Sequence, residues 1–151
     1  MSLLGRLLRA GVAAVAIVAA TFAAVAPATA APAETALANE NVVQVTSANH
    51  AQILEISKTK LVILDFGAEW CGPCRQMKPV IERLAAEYNG RFLLGVVNVD
   101  VSRDLSSKYR IQYLPTLVPV RHGAELPNSR HIGYRGETAL RTWIDAQLAK
   151  G

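Results

Sequence analysis

The stretch VILDFGAEWCGPCRQMKP, residues 62–79, holds both of the chain's cysteines, two residues apart. It starts as a continuous apolar run, turns through GAEW (67–70), and goes on as a helical pattern. An apolar run of this length is what a strand buried on both faces requires. Cys71 then falls at the N-terminus of the following helix, where unpaired backbone N–H groups and the positive end of the helix dipole favour an anion. A thiol placed there ionises more easily, so Cys71 is expected to be the exposed nucleophile. Cys74 sits one turn further on and beneath it, within reach, and is expected to act second by attacking a mixed disulfide. Gly72 leaves room for an approaching backbone, and Pro73 fits the first helical turn, where a missing N–H costs little.

Other readings of the pair fit less well. Half of a zinc site needs two further ligands, and His50, His122 and His131 have no suitable spacing; all three histidines are expected at the surface. A static disulfide closing so short a loop constrains the unfolded chain little. No metal and no cofactor is therefore expected.

The flanking sequence reads as one α/β domain. VVQV (42–45) is a short strand, followed by a helix capped at Thr46 or Ser47 that turns Ile53, Leu54 and Ile56 inward. LVILDF (61–66) is the buried strand. The helix from Cys71 to about Tyr88 carries Met77, Val80, Ile81, Leu84 and Ala85 on one stripe and stops at NG (89–90); Pro79 is expected to kink it. FLLGVVNVD (92–100) is a second buried strand, and SRDLSSKY (102–109) a short serine-capped helix. PTLVPV (115–120) and SRHIGY (129–134) are weaker strands. A last helix from Glu137 to Leu148 turns Leu140, Trp143, Ile144 and Leu148 inward. This order predicts parallel central strands, an antiparallel tail and helices on both faces.

The first thirty residues have the parts of an export signal. Arg6 and Arg9 open it, Ala10 to Ala26 is apolar except at Gly11 and Thr21, and Ala28-Thr29-Ala30 offers a cleavage site. Residues 31–41 read as a flexible arm and 42–151 as the folded domain. The leader implies a periplasmic or extracellular protein, or a membrane-associated one if it is retained. With 16 Lys+Arg against 12 Asp+Glu overall and two arginines in the leader, the remainder is only +2 (14 against 12). So weak and scattered a balance does not suggest nucleic acid as a partner.

WCGPC at 70–74, preceded by LDFGAE and followed by Pro79, resembles the thioredoxin family, and the resemblance runs from about Val42 to Leu148. It implies the thioredoxin fold, a central mixed sheet with helices on both faces, and thiol–disulfide exchange. It also implies that Asp65, six residues before Cys71, is a buried carboxylate that helps take a proton from Cys74. Pro115 would be a cis-proline facing the dithiol, and Trp70, Gly72, Pro73, Leu114 and Gly133 would line the substrate groove with it. Burial of Asp65 in so apolar a strand should itself raise its pKa.

Four departures stand out. Gly67 replaces a frequent tryptophan, Val96 replaces a lysine that often pairs with the aspartate, and Pro119 interrupts PTLVPV, while the hairpin RHGAELPNSRH (121–131) is about two residues longer than usual. Loss of the lysine should raise the Asp65 pKa further unless another cation replaces it. Gly-Pro between the cysteines resembles the reducing members. The expected role is a monomeric reductant of disulfide-containing client proteins, re-reduced by a membrane or soluble electron donor. A disulfide oxidase or isomerase, or a binding module using the groove alone, is the alternative.

Overall fold

The computed structural model describes residues 40–150; the leader and most of the arm lie outside the described residues. The described elements are β1 (Val42–Gln44), α1 (His50–Ile56), β2 (Leu61–Gly67), α2 (Gly72–Glu87), β3 (Phe92–Asn98), α3 (Arg103–Lys108), β4 (Thr116–Arg121), β5 (Ala124–Glu125), β6 (His131–Ile132) and α4 (Glu137–Leu148). The sheet runs β1-β3-β2-β4-β5, with β6 also on β4. β1 and β2 pair parallel with β3, whereas β4 pairs antiparallel with β2, β5 and β6.

Alternation along β2 divides the core into two layers. Val62, Leu64 and Phe66 pack with Ile53 of α1, Leu105 of α3 and Tyr109. Leu61 and Ile63 face the other way, against Met77, Ile81 and Leu84 of α2 and Leu140 and Ile144 of α4. Each such fully buried side chain contributes about 1.5–3 kcal/mol relative to exposure. Helices thus cover both faces, and Asp65 falls in phase with Leu61 and Ile63, on the α2 side.

Gly95 explains how closely the strands meet on the α1 side. A Cβ there would lie 2.8 Å from Val45 Cγ2 and 2.9 Å from Leu64 Cδ2, so the two side chains occupy the space a larger residue would need.

Several local expectations are corrected. α1 starts at His50, and neither Thr46 nor Ser47 caps it: Asn49 accepts from the Thr46 N–H at 2.8 Å and donates to the Gln44 carbonyl at 2.8 Å, while Ser47 donates to Asp104. Ile56, expected inside, is exposed, because the helix is too short to carry a full apolar stripe. Trp143 and Leu148 are only partly buried, at the margin of the core. β6 is shorter than SRHIGY suggested, and the two-residue β5 in the hairpin was not anticipated. His50 is buried, not superficial, with Nε2 2.8 Å from the Tyr109 hydroxyl.

Pro119 does not interrupt β4. It is paired with Ile63 of β2, and its carbonyl accepts from the Leu126 N–H at 2.8 Å on the opposite side. In an antiparallel ladder a residue's N–H and C=O serve the same neighbour, so the donor that proline lacks would have pointed outward, away from β2. α2 likewise continues across Pro79, which lies exposed.

Candidate active site

The loop after β2 delivers the cysteines to the head of α2. Cys71 is the N-cap residue, with extended backbone, and its Sγ accepts from the Cys74 N–H at 3.2 Å. Gly72 and Pro73 occupy the first turn. A sulfur in the N-cap position takes the place of the usual serine or aspartate oxygen, so the helix start itself stabilises negative charge on Cys71. Cys71 and Cys74 are joined as a disulfide. The expected contrast of an exposed Cys71 over a buried Cys74 is not seen: the residues are 5% and 9% exposed. Their difference lies in position on the helix, because only Cys71 Sγ receives the helix N–H.

The cysteines and Ala68 form a small apolar cluster, against which Leu114 packs. The Leu114–Pro115 peptide is cis, and the Pro115 carbonyl accepts from the Gly133 N–H at 2.9 Å. Gly133 holds φ +78°, a left-handed conformation that glycine adopts at little cost. Pro115 and Gly133 are thereby fixed together, and Pro115 is next in the chain to the Leu114 that packs on the cysteines. A Cβ on Gly72 would meet nothing within 4 Å, so that side of the motif is open.

Trp70 is 68% exposed, and its Nε1 donates to Asp100 at 2.9 Å. Val101, Tyr113 and Ile132 are also large exposed apolar residues. Val101 follows the partner of Trp70, Tyr113 precedes Leu114, and Ile132 precedes Gly133, so these side chains border the same segments as the disulfide. Exposure of large apolar side chains on neighbouring segments is a feature of surfaces that bind another chain. Val101, Tyr113 and Ile132 were missed in the sequence, where apolar residues in turns carry no period to mark them.

On the other side of the pair lies Asp65. It is 8% exposed, and Oδ1 has no hydrogen-bond partner among the described residues. Burial, reinforced by the charge of Glu82, raises its pKa to about 7, against the opposing charge of Lys78. Lys78, from α2, thus provides part of the cation that Val96 does not. A carboxyl with that pKa gains and loses a proton near neutrality, as a general acid or base must. Gly67, Val96 and Asp65 line a cavity of about 110 Å³ together with Cys74.

Among the described residues no cluster of three or more His, Cys, Asp or Glu is placed to hold a metal ion, and no helix is long and apolar enough to cross a membrane.

The comparisons agree with this geometry. The family model described as Thioredoxin matches residues 41–146. A thioredoxin of Pseudomonas aeruginosa is 30% identical over 110 residues, which cover 73% of this chain and 99% of that protein. Thioredoxin-T of Drosophila melanogaster is 40% identical over 72 residues, 48% of this chain and 46% of its own length. A thioredoxin of Chlorobaculum thiosulfatiphilum is 38% identical over 68 residues, 45% of this chain and 63% of its own. With the motif, the fold and these relatives in agreement, the chain belongs to the thioredoxin family and is a thiol–disulfide oxidoreductase whose redox-active pair is Cys71 and Cys74.

Proposed function

We propose that the protein is a reductant of protein disulfides that works outside the cytoplasm. The feature that supports the direction of electron flow is the environment of Cys71. Its sulfur is held by one backbone N–H, the residues between the cysteines are Gly72 and Pro73, and Arg75 lies beyond them and exposed. A strong oxidant needs a heavily stabilised thiolate, because that favours its reduced form. Without a cation inside the motif, the pair holds its electrons less firmly and gives them up to a client disulfide. The leader at residues 1–30 supports export.

In this cycle the Cys71 thiolate attacks a client disulfide lying against Trp70, Leu114, Pro115 and Gly133, and one client sulfur leaves. Cys74 then attacks Cys71 Sγ, its proton passing to Asp65, and the second client sulfur leaves with the electron pair. The client is reduced and Cys71–Cys74 is oxidised. A membrane or soluble electron donor restores the dithiol.

The reduction potential of the pair, measured against glutathione or dithiothreitol buffers, tests the direction. A value near about −270 mV supports a reductant, and one near about −120 mV refutes it, since 30 mV corresponds to about 1.4 kcal/mol. In the same reading, Cys74→Ser accumulates mixed disulfides with exported proteins and Cys71→Ser does not. Mass spectrometry of the exported product is expected to find an N-terminus near Ala31.

A further inference from the structure

The cavity beside Cys74 is lined by other residues than those proposed above to meet a client. Its lining includes Asp65, Gly67, Cys74 and Val96, but not Cys71, Trp70 or Pro115. It exists where two side chains are small. A Cβ built on Gly67 would lie 3.5 Å from both Cβ and Sγ of Cys74, so that flank of the resolving sulfur is bare. At 110 Å³, against roughly 300–1,000 Å³ for a pocket that takes a drug-sized ligand, the cavity admits only a small group.

Polar groups surround this small space in a definite order. Asp65 stands inside with Oδ1 unpartnered among the described residues, while the exposed Glu69, Arg75 and Lys78 also line the cavity and so form its mouth. A mouth with both signs of charge suits a zwitterion: a carboxylate beside Arg75 and Lys78, an ammonium beside Glu69, and a short neutral arm reaching inward.

We propose that this cavity admits the thiol arm of a small zwitterionic aminothiol, of the size of free cysteine, to Cys74 Sγ, giving the oxidised protein a second route of reduction. The inference rests on the exchange chemistry of the pair and not on its direction with clients. The aminothiol loses its proton to solvent, and its thiolate attacks Cys74 Sγ. A new S–S bond forms, the Cys71–Cys74 bond breaks, and Cys71 departs with the electron pair as a thiolate held by the helix N-terminus. Of the two sulfurs Cys71 is the better leaving group, which favours attack at Cys74 over attack at Cys71. A second aminothiol attacks the outer sulfur of the adduct. The small disulfide leaves, and Cys74 departs as a thiolate that takes a proton from Asp65. Two aminothiols are oxidised to one disulfide while the pair gains two electrons.

The test uses oxidised protein with free cysteine as one reductant and the bulkier glutathione as the other. Reactions are quenched in acid, free thiols are capped at low pH, and the early adduct is located by peptide mapping. Cysteine is expected on Cys74, with Cys71 capped. Gly67→Trp is expected to lower the ratio of the cysteine rate to the glutathione rate at least tenfold, and Gly67→Ala, whose methyl fits at 3.5 Å, to lower it by a smaller factor. A cysteine adduct found on Cys71 alone, or an unchanged rate ratio in both variants, overturns the proposal. Exchange of reduced wild-type protein with a peptide disulfide is run alongside. If it proceeds while cysteine adds only to Cys71, the cavity route alone falls; if it fails, the client reading falls too.

Discussion

Asp65→Asn replaces a titrating buried group with a neutral one of nearly the same shape, and the consequence for stability follows from linkage. The carboxyl has its ordinary value of 3.8 in the unfolded chain and about 7 in the fold. Between those values the folded protein binds the extra proton, so the free energy of unfolding falls as pH rises, and it levels off above about pH 7. Roughly three pH units at about 1.36 kcal/mol each amount to about 4 kcal/mol. The wild type is therefore expected to lose on the order of 4 kcal/mol through this group between about pH 4 and pH 7, and Asp65→Asn to lose none of it. Denaturant unfolding of the oxidised forms from pH 4 to pH 9 measures the difference. The constant offset reflects how well the amide finds partners beside an unpartnered Oδ1, so the pH-dependent part is the diagnostic one. Parallel stability curves for the two proteins would falsify a strongly raised pKa at Asp65.

Three further outcomes are expected. In rapid-mixing reduction of a disulfide substrate, Asp65→Asn should slow resolution of the mixed disulfide on the order of 100-fold while sparing the first attack by Cys71; equal slowing of both steps would argue against proton transfer to Asp65. Limiting alkylation of the reduced protein near neutral pH should label Cys71 before Cys74, since only Cys71 receives the helix N–H, and peptide mapping decides it. Gly95→Ala should cost about 1–3 kcal/mol in denaturant unfolding, because its methyl would press on Val45 and Leu64 at under 3 Å, and a neutral result would mean that β1 yields.

Local chemistry was legible wherever it is written in adjacent residues. The run LVILDF has the length and apolar character of a strand buried on both sides, and the cysteines at its exit fall where the next helix opens, so β2, α2 and the N-cap place of Cys71 followed directly. What escaped was set by distant parts of the chain. His50 looked like a surface residue until Tyr109, 59 positions away, covered it and met its ring nitrogen. The expected exposure difference between the cysteines assumed that helix order sets depth, but Ala68 and Leu114 enclose both. Lys78 lies on another element from Asp65, so its effect on that carboxyl depended on how α2 sits on β2. Pro119 looked disruptive because its sequence does not say which neighbour would lose the hydrogen bond.

That proline also bears on how the molecule behaves in a crowd of its own kind. A sheet margin with regular free donors and acceptors is a template on which other chains add as strands and begin to aggregate. Beyond β4 the described residues offer only the two-residue β5 and β6, with Pro127 between them and Pro119 opposite Leu126, where one rung lacks its donor. An incoming strand therefore finds no unbroken ladder along that margin: the hairpin covers the outward side of Pro119, and its own two short strands part at Pro127, so that side is a poor seed for fibres.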